Sequence, residues 1–206
     1  MAKDYFKELK KAPYTLFVAP RPYSFDLNQD MVNMIREEFN AEVVASKLVE
    51  AIKGKAKGEV EKIATVLFEE LGESWMRKTM QLSEEYSDRT IEVVKESVDR
   101  QGNQFLLWPH VPQRFVEIAY LSTQEFLKVP ITLNNGEQLA YRIPQCALFS
   151  KIKEKCGDKV ANLMTCKNYC LKALETLRRD LELDAIIDMV ASTAKDGYCE
   201  FSMKKI

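Results

Sequence analysis

Histidine is nearly absent from this chain of 206 residues: His110 is the single copy. That count excludes mechanisms built on a histidine pair or a multi-histidine metal site, and it leaves one residue for any Ser-His-Asp triad. Seven glycines and seven prolines fall below ordinary usage, which excludes collagen-like, low-complexity and linker-dominated chains. No glycine spacing matches GxGxxG or a GKS/GKT phosphate loop, so nucleotide binding of that kind is not expected. No run of about 18 apolar residues occurs, and no membrane partner is expected. Neither sign of charge dominates: 30 Lys plus Arg face 31 Asp plus Glu, a net charge of -1. This balance speaks against a nucleic-acid partner and against an acidic tail. The start, Met1-Ala2-Lys3-Asp4-Tyr5-Phe6-Lys7-Glu8, carries acids and no apolar signal core, so the expected location is cytoplasmic.

What the chain does have is 46% apolar residues, enough for one sizeable core or two small ones sharing an interface. Three prolines, Pro13, Pro20 and Pro22, predict an irregular arm over 12–30 with a short strand at Tyr14–Val18. From Asp30, read as an N-cap, Val32, Ile35, Phe39, Val43, Leu48, Val49 and Ile52 recur at helical spacing up to Gly54. Val60, Ile63, Ala64, Leu67, Leu71 and Trp75 predict a second helix, which Gly72 weakens by about 1 kcal/mol. A third is expected from Ser87 or Asp88 to Asp99, ended by Gln101-Gly102-Asn103. Phe105 to Pro112 is apolar but twice interrupted by proline and reads as an ordered packed loop, followed by a helix through Phe115, Ile118, Ala119, Leu121 and Phe126.

Near Val129 the period changes. Val129–Leu133 and Gln138–Ile143 flank Asn134-Asn135-Gly136-Glu137, a strong hairpin signal. Ala147–Lys155 reads as a short helix closed by Gly157, and Lys159–Leu183 as helix in one rod or two pieces. A second hairpin runs from Ala185–Thr193 through Ala194-Lys195-Asp196-Gly197 to Tyr198–Met203, with Cys199, Phe201 and Met203 on one face. The expectation is a single α+β domain: a helical N-terminal half, about 30–127, packed on a C-terminal part, about 128–206, whose antiparallel sheet of two hairpins has intervening helices.

Cysteine is missing from the first 145 residues, and five then follow: Cys146, Cys156, Cys166, Cys170 and Cys199. An odd, widely spaced set in a chain read as leaderless argues for reduced thiols rather than a disulfide framework. They are ordinary buried residues, or several converge as a nucleophile or as thiolate ligands. Cys166 and Cys170 would share one helical face, close enough to share a metal or a substrate. Cys146 follows a strand and precedes a helix, whose N-terminus favours a thiolate. His110, between Pro109 and Pro112, fits a rigid lid, with Trp108 beside it. Trp75, Trp108 and the eight methionines are core or the adaptable wall of a ligand site. Glu69-Glu70 and Glu84-Glu85 read as solvated pairs, and Lys53 to Lys57 is too short a basic run for a nucleic-acid patch.

From Tyr141 to Lys204 the chain resembles the L-2-amino-thiazoline-4-carboxylic acid hydrolase-like family. The resemblance is carried by Tyr141-Arg142-Ile143-Pro144-Gln145-Cys146, Cys156-Gly157-Asp158, Met164-Thr165-Cys166 and Thr193-Ala194-Lys195-Asp196-Gly197-Tyr198-Cys199-Glu200-Phe201. The last piece is also similar to the tail of 4-vinyl reductase-type ligand-binding domains. The resemblance implies a cytoplasmic α+β protein with Cys146, Cys166 and Cys199 in one region, hydrolysing a cyclic, sulfur-related C–N metabolite by thiazoline ring opening. Cys166 would then be nucleophile or metal ligand with Cys146 and Cys199 in support, and Asn168 and Tyr169 would bind substrate together with His110 and Trp108. The family has an Asp shortly after its middle Cys; Asn168, Tyr169 and Cys170 stand there in this chain. The alternative is a non-enzymatic module in which Cys146, Cys166, Cys170 and Cys199 hold a small molecule, or zinc or another thiolate-bound metal. The expected partner is thus a small molecule, with homo-oligomerisation left open.

Overall fold

Two asparagines set the first helices. The computed structural model describes residues 27–86, 108–125 and 128–206. Helix α1 (Gln29–Phe39) starts on Asn28, whose Oδ1 accepts from the backbone N–H of Asp30 at 2.8 Å and of Met31 at 3.2 Å. Asp30 is therefore a first-turn acid and not the cap, a position where its charge favours the helix dipole. The continuous helix expected up to Ile52 is broken at Asn40, which sits in extended backbone and caps α2 (Ala41–Ile52). Its Oδ1 accepts from Val43 N–H at 3.0 Å while its Nδ2 donates to the Arg36 carbonyl at 2.7 Å, so one side chain serves both helix ends. Gly54, at φ +72°, then turns the chain out of α2 as expected.

Helix α3 (Lys57–Glu85) runs for 29 residues straight through Gly72. The glycine is there for packing. A Cβ at position 72 would lie 2.2 Å from the carbonyl oxygen of Tyr169, so α3 and the later helix α7 touch backbone to backbone at this point. Helix α4 (His110–Thr123) begins five residues earlier than the apolar pattern predicts. Trp108 to Pro112 is therefore not a loop throughout: Pro112 lies in the first turn, where its missing N–H removes no helical hydrogen bond. The expected arm before residue 27, with its strand at Tyr14–Val18, and the expected helix over 87–99 with its break at 101–103 lie outside the described residues, as does the start of the Phe105 segment.

The C-terminal part contains β1 (Ile131–Asn134), β2 (Gln138–Ile143), α5 (Ala147–Cys156), α6 (Asp158–Ala161), α7 (Lys167–Asp180), β3 (Ala185–Ala191), α8 (Thr193–Asp196) and β4 (Cys199–Lys205). The first hairpin turns on Asn135, whose Oδ1 accepts from the N–H groups of Glu137 and Gln138. Among the described residues the strands form one antiparallel sheet in the order β1-β2-β4-β3, so the two hairpins meet through β2 and β4. The helical stretch after Gly157 is two pieces, α6 and α7, separated at 162–166 where Met164 takes φ +54°.

Register decides the faces. Leu139 opposes Met203, Tyr141 opposes Phe201 and Ile143 opposes Cys199, all buried against the helices. On the other face Arg142 opposes Glu200 and pairs with it at 2.8 Å. Helix α7 packs on α3 along one flank and on β3 along the other. One apolar cluster connects α1 through α4 with the sheet, so the helical half and the sheet share a core. The α+β architecture expected from the sequence is the one observed. Among the described residues no helix is long and apolar enough to cross a membrane.

Candidate functional site

Five rings form a continuous chain across that core. Phe201 stacks on Tyr141 at 5.6 Å, Tyr141 leans on Tyr120 at 5.5 Å, Tyr120 meets Trp75 edge-on at 5.2 Å, and Trp75 lies flat on Tyr169 at 4.7 Å and 12°. The rings come from β4, β2, α4, α3 and α7, so the site is built where the two halves join. Pairs of this kind contribute about 0.5–1.5 kcal/mol each beyond their burial. The Trp75–Tyr169 stack depends on the close approach at Gly72, one turn before Trp75.

The thiols gather beside this chain. Cys146 caps α5, its Sγ accepting from Phe149 N–H at 3.4 Å. Cys166 is the N-cap of α7, just outside the helix, and Cys170 lies in its first turn. Cys199 opens β4, its sulfur 3.0 Å from the Thr193 hydroxyl. Cys166 and Cys199 are buried, whereas Cys146 and Cys170 keep partial exposure, and all five cysteines are free. Each of Cys146, Cys166 and Cys170 has its ionisation opposed by neighbouring thiols of the same set. Cys156 stands apart, half-buried at the end of α5, with no member of this set acting on it.

Burial dominates the electrostatics. It pushes Cys146 up to about 12 and Cys166 and Cys170 well above the ordinary thiol range, overriding the backbone N–H groups that pull Cys146 and Cys166 down. The thiolate expected for Cys146 at a helix N-terminus is thus not favoured: desolvation outweighs the dipole there. Tyr120, Tyr141 and Tyr169 are raised well above the usual phenol value for the same reason. Among the described residues no carboxylate, histidine or cationic side chain is among the groups acting on Cys146, Cys166 or Cys170. A nucleophilic thiol requires such a neighbour to form its thiolate near neutral pH. The seam is neutral: thiols, phenols and an indole.

Two donors in it have no acceptor among the described residues. Trp75 Nε1 and Tyr169 Oη, on the stacked pair, are buried without a hydrogen-bond partner among the described residues. An unpaired buried donor costs about 1–3 kcal/mol, so two on adjoining rings are a substantial unmet demand. The thiols do not meet the demand of a metal ion. Among the described residues no three His, Cys, Asp or Glu side chains form a group that could hold one, so the expected zinc or other thiolate-bound metal finds no fitting donor set. Cys146, Cys166, Cys170 and Cys199 influence one another's ionisation without forming such a group.

The other expected site residues are divided. Tyr169 is inside the seam, where Cys170 and Cys146 act on its hydroxyl. Asn168 points the other way on α7, half-buried, with its amide 3.4 Å from Thr65 Oγ1. Trp108 is buried, and its Nε1 is also without a partner among the described residues. His110 is exposed at the first position of α4. Sequence reasoning did not single out Tyr120 or Tyr141. Their signal was a phenol within otherwise apolar patterns, next to Ala119 and Leu121 on a helix and on the buried face of a strand. No family model matches the chain, and no curated protein or solved structure matches it.

Proposed function

We propose that this protein is a small-molecule-binding module whose ligand seats on the seam formed by Trp75, Tyr169 and the thiols Cys146, Cys166, Cys170 and Cys199. The observation that carries the reading is the pair of orphan donors, Trp75 Nε1 and Tyr169 Oη, on two stacked buried rings. Two donors on adjoining stacked rings in an apolar, polarizable surrounding suit a compact heteroaromatic or sulfur-containing molecule that offers acceptors such as a ring nitrogen or carbonyl. Binding is favoured over turnover because the three raised thiols are held neutral and no general base among the described residues acts on them.

The test is a thermal-shift and calorimetric screen of heteroaromatic fragments that includes 2-amino-thiazoline-4-carboxylate, with product analysis of that compound. Saturable binding of at least one fragment, weakened by Tyr169→Phe and unaccompanied by turnover, is the expected result. Ring opening lost in Cys166→Ser would establish the hydrolase-like reading instead. Absence of binding across the panel would remove the ligand reading.

A further inference from the structure

The turn between β1 and β2 brings together the parts of a reaction. Asn135 precedes Gly136, the one Asn-Gly pair in the sequence, and both residues are exposed. The Asn135 Oδ1 accepts from the backbone N–H of Glu137 at 2.9 Å and of Gln138 at 2.8 Å, so two donors polarise its amide carbonyl. The Asn135 Nδ2 and the Gly136 backbone N–H make no hydrogen bond among the described residues. Gly136 does not take the positive φ that favours glycine, and nothing lies within 4 Å of a Cβ there. The turn itself would therefore accept a side chain at 136.

An unbonded nucleophile, a polarised carbonyl and an unheld leaving group are what intramolecular attack on an amide needs. Nucleophile and target are neighbours in one chain, and glycine puts no side chain beside the path between them. When the deprotonated Gly136 nitrogen bonds to Asn135 Cγ, the carbonyl electron pair moves onto Oδ1, where the Glu137 and Gln138 N–H groups stand as oxyanion donors. Collapse breaks the Cγ–Nδ2 bond and releases ammonia, leaving a cyclic succinimide. Water then opens the ring at either carbonyl, to aspartate or isoaspartate. The sum consumes a water, releases an ammonia and adds a negative charge, with no oxidant or reductant. Other asparagines lack the combination: Asn134 donates its side-chain nitrogen to Gln113 Oε1, Asn40 to the Arg36 carbonyl and Asn168 to Thr65 Oγ1, and each is followed by a residue with a side chain.

We propose that Asn135 is a self-modification site, deamidating through the Gly136 nitrogen within the native hairpin and ahead of the other asparagines of the chain. The two products act differently on the turn. Aspartate keeps an oxygen for the Glu137 and Gln138 N–H groups and adds charge to those bonds. Isoaspartate routes the backbone through the side-chain carbons and lengthens it by a methylene, next to the pair in which Asn134 opposes the buried Leu139. Isoaspartate therefore disturbs the closed end of the hairpin, and aspartate preserves it. The thiol seam plays no part in this chemistry.

The experiment incubates the full chain at neutral pH and physiological temperature and follows it by peptide mapping with mass spectrometry, which reads the amide-to-acid mass gain at each asparagine and resolves aspartate from isoaspartate peptides. Asn135 is expected to convert at least about tenfold faster than Asn134 or Asn162, and Gly136→Ala, for which the turn has room, to slow it by about tenfold. The folded chain is expected to react at a rate within about tenfold of the same chain in urea, since the reacting groups are already exposed and adjacent. The proposal is overturned if Asn135 converts no faster than Asn134 and Asn162, or if Gly136→Ala converts as fast as the parent. A folded rate more than about tenfold below the rate in urea would also overturn it, by placing the reaction in the opened chain.

Discussion

Gly72→Ala puts the junction between the helical half and the sheet to a quantitative test. In an isolated helix the change is favourable by about 1 kcal/mol, because alanine loses less backbone freedom on folding than glycine. Here the added Cβ would fall 2.2 Å from the Tyr169 carbonyl oxygen and 2.9 Å from its carbon, and both belong to the backbone of α7, so no rotamer can relieve the clash. The helices must part by roughly 1 Å at the crossing, a gap that forfeits a quarter to a half of the dispersion energy across it. Overpacking of this kind costs about 1–3 kcal/mol, and the Trp75–Tyr169 stack beside it adds about 0.5–1.5 kcal/mol if it is lost. Against the helical gain, a net destabilisation of about 1–3 kcal/mol follows, or a fall in melting temperature of roughly 3–10 °C. Urea and thermal unfolding measure it, with Gly58→Ala as the control, since nothing lies within 4 Å of a Cβ there. A Gly72→Ala protein as stable as the parent, or more so, would refute the backbone contact.

Other outcomes follow from single groups. Asn40→Ala removes the α2 cap and the donor to Arg36, and should lower stability by about 1–2 kcal/mol in urea unfolding, whereas Asn40→Asp should retain the cap. Tyr169→Phe deletes an unpaired buried hydroxyl and should leave ligand-free stability unchanged or raise it by about 1 kcal/mol; a loss of that size would show that the hydroxyl is satisfied. Cys146, Cys166 and Cys170 have raised native values, so their contribution to stability is fully present below the unfolded thiol value near 9 and declines as pH rises toward about 12 for Cys146. Urea midpoints should therefore fall between pH 8 and 10, less steeply in Cys146→Ala; an equal or steeper fall in that variant would count against its buried neutral thiol. Iodoacetamide at pH 8 with peptide mapping should label Cys156 before Cys166.

Periodicity made most of the helices and both hairpins legible, because apolar spacing records which face is buried. Asn40 hid the α1–α2 break: its neighbours keep the helical period, and the cap becomes visible once its amide is seen bonding in both directions. Pro112 misled for the opposite reason, since a proline ends a helix in its interior and is neutral in its first turn. Gly72 carries a propensity penalty in the sequence, whereas its meaning lies in a residue 97 positions away. The CxxxC spacing and the strand-to-helix place of Cys146 were legible as positions. Their protonation was not, because the helix dipole is a local feature and desolvation is set by everything packed around the sulfur. Tyr120 and Tyr141 belong to the site through rings contributed by separate elements, a relation with no sequence period.

The central claim is that Trp75 and Tyr169 present unsatisfied donors to a ligand. Its most direct test is the ¹⁵N-indole resonance of Trp75, assigned by Trp75→Phe, followed while the best-binding heteroaromatic fragment is added. The account predicts a saturable downfield shift of that N–H as it gains an acceptor, with the affinity reduced in Tyr169→Phe. A fragment that binds while the Trp75 indole stays in place and Tyr169→Phe binds equally well would contradict it.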